Sequence, residues 1–528
     1  MKKLPYLLPL VGLLFINCSK EEPIDTTNNN NNQTITYSSG TADFTNYVAL
    51  GNSLTAGYSD GALFKDGQAD SFSNILAGQF ALAGGGDFNI PYMADNLGGA
   101  TLAGTPILNN RMILSFATGS PAPLVLSGTP ATEITNHLDG PFNNMGVPGA
   151  KSYHLLAPGY GNVQGVALGL ANPYFARFAS SATTTVIADA IAQQPSFYTL
   201  WIGNNDVLGY ATAGGAATNQ KGNLDPSTYG GSDISDPNVV AGAIQGMVQA
   251  LNAVGAHGAI ANVPDVTSAP FFTTVPHNPI PLDAATAAAV NQAYAAYNGG
   301  LQAAYQALSG FPGLFTAEEL AARTINFEAG LTNAVVIEDE SLTDLGAINP
   351  AFAALPQYRQ ATAEDLLVLT SQNIIGTLAD PSNPLSVNGV AIPLADKWVL
   401  TPSEQEEIST AITAINTAIA GIAQANGLAL IDTNGFFTDA ASNGVQLSDG
   451  SVVTAAYGAG GLFSLDGIHP SPRGNAIVSN LFIKAINKKF GADLPEVNPL
   501  NYKALYLYNF NNWDFLKRPV ELEPLIIR

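Results

Sequence analysis

Ser53 and His469 are the residues whose types and positions could do chemistry together. Nucleophilic acyl transfer needs an exposed hydroxyl, a base within reach, a group that orients the base, and donors for the developing oxyanion. Ser53 lies in Ala49-Leu50-Gly51-Asn52-Ser53-Leu54-Thr55-Ala56-Gly57, directly after the apolar run Tyr47-Val48-Ala49-Leu50. A short apolar run closed by glycine predicts a buried strand and a tight turn. The serine would then emerge at the carboxyl edge of a sheet, where ligands bind in open α/β folds. Asp466-Gly467-Ile468-His469-Pro470 sets a carboxylate three residues before an imidazole. One short turn could bring the two side by side, and an imidazole titrating near pH 6.5 suits general-base work near neutrality.

Other groupings are less apt. Gly57-Tyr58-Ser59-Asp60-Gly61 matches the Gly-x-Ser-x-Gly elbow, but that elbow needs a strand immediately before it and the expected strand ends at Gly51. The remaining histidines, His137, His154, His257 and His277, show no metal-ligand spacing, so no metal site is expected. His154 is read as a structural or surface residue, and Asp265, in Asn262-Val263-Pro264-Asp265, as an ordinary turn residue at the functional edge. No phosphate-binding glycine loop or dinucleotide fingerprint is present, so no cofactor is expected.

The elements that must position these residues alternate between strands and helices. A second buried strand is predicted at Phe197 to Ile202, closed by Gly203, after a helix over 186–193. A helix follows over 237–254 with Pro237 at its start, then a strand over 259–263. Thr401-Pro402-Ser403-Glu404 is a capping box opening an amphipathic helix to about Ala425, with Ile408, Ile412, Ile415, Ile419 and Ile422 on one face. Gly427 ends it, a strand is predicted over 428–431, and a last helix begins near Pro472. This alternation predicts an α/β fold, a three-layer α/β/α sandwich around a central, mostly parallel sheet. Residues 60–140 and 276–400 fit that pattern poorly, apart from an Ala-rich helix from Asp283 to Leu308. Both are read as insertions over one end of the sheet, suited to a lid or binding wall.

Both ends of the chain carry a different message. Lys2 and Lys3 precede an apolar run, Leu4 to Ile16, which ends at Cys18, the single cysteine among 528 residues. The run is too short to span a bilayer and reads as a signal segment over 1–17. Phe15-Ile16-Asn17-Cys18 resembles a bacterial lipobox, which implies lipidation of Cys18. Ser19-Lys20-Glu21-Glu22 resembles the export signal of surface lipoproteins in the Bacteroidetes. An Asn-rich tether is expected over 18–40, then the folded domain over 41–498 and an aromatic tail over 499–528. With 19 Lys and Arg against 41 Asp and Glu the formal net charge is −22. Such a surface repels nucleic acid and anionic membrane, so membrane contact is expected only through the Cys18 lipid.

Four blocks in order make a more specific resemblance. Gly51-Asn52-Ser53-Leu54 resembles Gly-Asp-Ser-Leu, and Asn144-Met145-Gly146-Val147-Pro148-Gly149 resembles a second block. Gly203-Asn204-Asn205-Asp206 resembles Gly-x-Asn-Asp, and Asp466 to His469 matches Asp-x-x-His. Together they resemble the SGNH (GDSL-like) hydrolases. The resemblance implies a flavodoxin-like sandwich and a Ser53–His469–Asp466 triad. It also implies an oxyanion hole made of the Ser53 and Gly149 N–H groups and the Asn205 amide. Asn52 departs from the usual Asp of the first block, which puts the local charge in question.

The expected function is hydrolysis of carboxylic esters, as an esterase or lipase, through an acyl-serine. The expected partner is an ester substrate, a lipid or an acylated small molecule or glycan. A carbohydrate O-acetyl esterase or acetyltransferase is the alternative within enzymes, and a non-catalytic surface-binding lipoprotein the alternative outside them. The expected location is the outer membrane of the cell envelope, with surface exposure.

Overall fold

The computed structural model describes residues 36–115 and 122–506. The signal segment, Cys18, most of the tether and the tail aromatics Tyr508, Phe510, Trp513 and Phe515 lie outside them.

Five short strands form the central sheet: β1 (Tyr47–Gly51), β2 (Asn144–Gly146), β3 (Phe197–Trp201), β4 (His257–Ala261) and β5 (Ala429–Ile431). Every pairing is parallel and the spatial order is β2-β1-β3-β4-β5. This is the flavodoxin-like order, whose ligand crevice opens at the switch point between β1 and β3. The helices that matter here are α1 (Ser53–Ala56), α2 (Phe72–Leu82), α3 (Val186–Ala192), α4 (Asn205–Thr212), α5 (Pro237–Ala253), α6 (Ala284–Leu308), α7 (Pro402–Ala425), α8 (Thr433–Asn443) and α9 (Pro472–Phe490). Helices α2 and α9 pack on one face of the sheet, and α3, α5 and α7 on the other. The alternation of strands and helices predicted this sandwich.

The two faces are built from different chemistry. Period-two alternation puts Tyr47, Phe197 and Trp201 on the α2/α9 side, where Tyr47 meets Phe80 edge-on at 4.8 Å and Trp201 meets Phe72 at 5.4 Å. Phe72 in turn stacks on Phe482 of α9 at 4.9 Å. Offset and edge-to-face pairs of this kind add about 0.5–1.5 kcal/mol each beyond their buried area. On the opposite side the isoleucines of α7 fill the layer, with Ile408, Ile415 and Ile419 fully buried. The Thr401–Glu404 capping box is formed as the sequence suggested. Helix α7 is also long and apolar enough to cross a membrane by length and composition. Its apolar stripe is buried inside the sandwich.

Three boundaries differ from the sequence reading. Order begins before residue 41: the Thr41 N–H donates to the Phe490 carbonyl at 2.8 Å, and Ser38 bonds to Asp493. Part of 60–140 is no insertion. Helix α2 lies inside it and forms a layer of the sandwich, capped by Ser71. Its buried side, Phe72, Ile75, Leu76 and Phe80, does follow three- and four-residue spacing, but it lies within a stretch rich in Gly, Ser and Asn. Strand β2 was also missed, since Asn-Met-Gly carries no apolar run. The 276–400 region keeps two hydrophobic clusters of its own, one around Tyr294, Phe327 and Val336 and one around Leu301, Phe315 and Leu345.

Candidate active site

Ser53 leaves the sheet where β1 ends. A side chain at residue 51 would fall 2.2 Å from Thr55 Oγ1 and 2.4 Å from the Trp201 carbonyl, so only glycine lets α1 fold back against the strand end. Asn52 caps α1 by accepting the Leu54 N–H at 3.1 Å, and its Nδ2 donates to Asn204 Oδ1 at 3.2 Å. Asn52 is fully buried. An amide satisfies both contacts with one acceptor and one donor, and no charge needs burying at this position.

His469 arrives from the far end of the chain, on the loop between the 452–453 strand and α9. Its Nε2 lies 2.8 Å from Ser53 Oγ and its Nδ1 lies 2.9 Å from Asp466 Oδ2. Hydrogen-bond complementarity assigns the tautomer: Nδ1–H donates to the carboxylate and Nε2 accepts from the serine hydroxyl. Asp466 Oδ1 accepts the N–H groups of Ile468 (2.9 Å) and His469 (2.8 Å), and Oδ2 accepts that of Gly61 (3.0 Å). Burial works against the charge on Asp466. The neighbouring imidazole and these N–H donors win, holding the carboxyl at about 2.

The segment that resembles a nucleophile elbow has a different role. Ser59 is buried, with its Oγ directed to the Pro470 carbonyl at 3.5 Å, and His469 engages Ser53 instead. The Asp60 N–H donates to Ser464 Oγ (3.0 Å), the Leu465 N–H donates to Asp60 Oδ1 (2.9 Å), and the Tyr58 ring lies 4.7 Å from the His469 ring. Residues 58–61 therefore clamp the loop that carries the acid and base. Burial pushes the Asp60 carboxyl up to about 7 despite the Leu465 N–H donor; the Asp466 charge adds to this, and Arg111 at 3.6 Å opposes it. Sequence reasoning passed over Asp60 because its partners are some 400 residues away in the chain.

Asn205 begins α4 at the end of β3 and donates from Nδ2 to the Ala150 carbonyl at 2.9 Å. That bond ties the 147–150 loop to the site. Gly149 has φ +79° and open space where a side chain would point, a backbone state that suits glycine. Asn205 lines the same cleft as Ser53 and His469, together with Trp201, Leu208, Val266, Phe437 and Phe463. Gly149 borders the site through Ala150 and is not among the cleft-lining residues. The cleft has a volume of about 50 Å³.

Asp265 also lines the cleft, while its carboxylate accepts the Thr267 N–H at 3.0 Å as a turn residue. His154 lies elsewhere: its Nδ1 accepts the Lys151 N–H at 3.1 Å and its ring stacks on Tyr160. Burial, with the Lys151 charge, lowers its pKa to about 4, so it is a neutral structural residue.

The arrangement can activate a serine for attack on an electrophilic carbon, and two outcomes follow. Asp60→Ala should slow labelling of Ser53 by a fluorophosphonate roughly 10²-fold, the scale of a 1 Å misplacement, whereas Asp60→Asn, which keeps the acceptor for Leu465, should label near the wild-type rate. Equal rates for Asp60→Ala and wild type would remove the clamp role. The second outcome concerns acid. Because the folded carboxyl of Asp466 sits at about 2 against an ordinary 3.8, it contributes stability in full above about pH 4 and loses it as pH falls through about 2. Asp466→Asn should therefore flatten the acid limb of denaturant-measured stability between those values.

No family profile matches the chain, and no curated protein matches it. Among solved structures it is similar to two variants of Axe2, an acetyl-xylooligosaccharide esterase from Geobacillus stearmophilus. Each is 9% identical with a TM-score of 0.28, covering 85% of this chain and 96% or 97% of the other. At that level the likeness assigns no activity to this chain.

Proposed function

We propose that this protein is a serine hydrolase of the SGNH type that cleaves carboxylic esters bearing a small acyl group, acetyl foremost. One observation carries the reading: the unbroken run from Ser53 Oγ to His469 Nε2 at 2.8 Å and from His469 Nδ1 to Asp466 at 2.9 Å, beside a cleft at the switch point. In the first half-reaction His469 takes the Ser53 proton as Oγ bonds to the acyl carbon. Negative charge collects on the carbonyl oxygen, where the Ser53 and Gly149 N–H groups and the Asn205 amide would receive it. The alcohol leaves with the proton from His469. Water then gives its proton to His469, adds to the acyl-serine, and the acid departs as Ser53 regains a proton. Asp466 stays ionised and stabilises the imidazolium.

The cleft volume supports a small acyl group. At roughly 10–15 Å³ for each water-sized position, about 50 Å³ beside Ser53 holds a few heavy atoms, enough for acetyl. An acetylated glycan and an acetylated small molecule both satisfy this limit. Attachment to the cell envelope through Cys18 is proposed as well, on the lone cysteine that closes the N-terminal apolar run.

These readings are separable by experiment. On a panel of nitrophenyl esters kcat/KM should be highest for acetate and fall steeply beyond butyrate; a maximum at octanoate or longer would overturn the small-acyl reading. Ser53→Ala should remove hydrolysis while Ser59→Ala keeps it, and Asn205→Ala should cut kcat roughly 10²–10³-fold with little change in KM. An Asn205→Ala enzyme of normal melting point and normal kcat would exclude that amide from the oxyanion site. For the anchor, Cys18→Ser should move the protein from the membrane to the soluble fraction, and a cleaved variant still bound to membranes would count against lipidation.

A further inference from the structure

Three carboxylates converge on the side of the sandwich where the 276–400 region meets the start of α7. One oxygen each from Glu340, Asp396 and Glu404 lies within 4.8 Å of the other two. Glu404 is 96% buried by its 4% exposure, and its Oε2 is fixed by the Thr401 N–H and hydroxyl at 2.6 and 2.8 Å. Its other oxygen, Oε1, is shielded from solvent and has no hydrogen-bond partner, and the same holds for Asp396 Oδ1. A side chain at Gly215 would fall 1.8 Å from Glu404 Oε1, so the bare glycine backbone is what admits this carboxylate.

Among the described residues, cationic side chains do not pair with these carboxylates. The Arg359 guanidinium is spent on Asp339 and Asp365 at 2.5 and 2.6 Å, and the Lys397 ammonium sits 5.1 Å from the Trp398 ring. Glu338 adds a further carboxylate along the adjoining cleft, which Glu340 and Asp396 also line and whose volume is about 400 Å³. Burying carboxylate oxygens that face one another without a cation or a donor costs several kcal/mol.

We propose that Glu340, Asp396 and Glu404 bind a divalent cation, calcium by the hardness of an all-oxygen donor set, and that the ion staples the 276–400 region to helix α7. Two oxygens on opposite sides of a calcium ion, each at about 2.4 Å, are about 4.8 Å apart, and the three donor oxygens all lie within that distance of one another. The adjoining cleft leaves room for the waters that complete a coordination number of six to eight, and it provides the entry path. The sequence conceals the site because its ligands come from three separate segments, none with a recognisable loop motif.

The test uses the full chain after treatment with EDTA. Millimolar CaCl₂ should raise the melting temperature by roughly 2–6 °C, and Tb³⁺ should bind with tyrosine-sensitised luminescence that CaCl₂ displaces. Glu340→Gln and Glu404→Gln should each abolish both effects. Gln at residue 404 keeps the capping box, and residue 340 is exposed, so both variants are expected to fold. Absence of a calcium shift in the wild type, or a shift that survives in both variants, would overturn the proposal. So would a wild type that gives no Tb³⁺ signal while the variants melt higher than it without calcium, which would point to carboxylates sharing a proton.

Discussion

The site depends on keeping one carboxylate ionised where little water reaches it. Asp466 is largely buried, and burial alone would favour its neutral form. A neutral Asp466 would hold neither the His469 ring nor its tautomer. The structure meets the requirement with three backbone N–H donors and the imidazole Nδ1–H, all between 2.8 and 3.0 Å. One of those donors, Gly61, belongs to a segment more than 400 residues earlier in the chain. The acid is therefore stabilised from both ends of the chain at once, and the loop that carries it cannot form its full set of bonds until the fold is complete.

That constraint explains the neighbourhood. A second full charge close to Asp466 would oppose its ionisation, and the nearest candidate, Asp60, is pushed up to about 7 while its Oδ1 serves as an acceptor for Leu465. On the other side of Ser53, position 52 carries an amide that caps α1 and pairs with Asn204. In a chain with a formal net charge of −22, a neutral residue at that buried point keeps the field around the base set by Asp466 itself. The polar residues at the two strand ends thus divide their work: those on the β1 side hold the nucleophile, and those at the start of α4 place an amide beside the cleft.

The 276–400 region has its own apolar clusters yet touches the catalytic loop: the Phe271 N–H, just before that region, donates to the Gly467 carbonyl at 3.0 Å, and Leu369 packs against Gly467. That contact ties the region to the loop between Asp466 and His469, and Val368 and Leu400 join the main core. The same region reaches α7 through Glu340, and the other end of α7 packs beside the sheet. Positioning of the base and anchoring of this region are mechanically joined, because both end on elements of one rigid sandwich.

Much of the sandwich was legible in the sequence because its signals are local. A run such as Tyr47 to Leu50 closed by Gly51, or isoleucines repeating through α7 after a capping box, encodes an element within a few residues, and the alternation of such elements implies a parallel sheet. The pairing of Asp466 with His469 was legible for the same reason, since three residues separate them. Strand β2 was not, since Asn-Met-Gly carries no apolar run, and helix α2 was lost in a Gly-, Ser- and Asn-rich stretch although Phe72, Ile75, Leu76 and Phe80 share one face. The approach of His469 to Ser53, the conversion of the Ser59 segment into a clamp, and the convergence of Glu340, Asp396 and Glu404 involve residues far apart in the chain. Their contacts arise from strand order and helix packing, and burial then decides which carboxylates stay charged. Local spacing determines the elements and the residue types at their ends; only the tertiary structure determines which ends meet, because that depends on the summed burial of surfaces no short stretch contains.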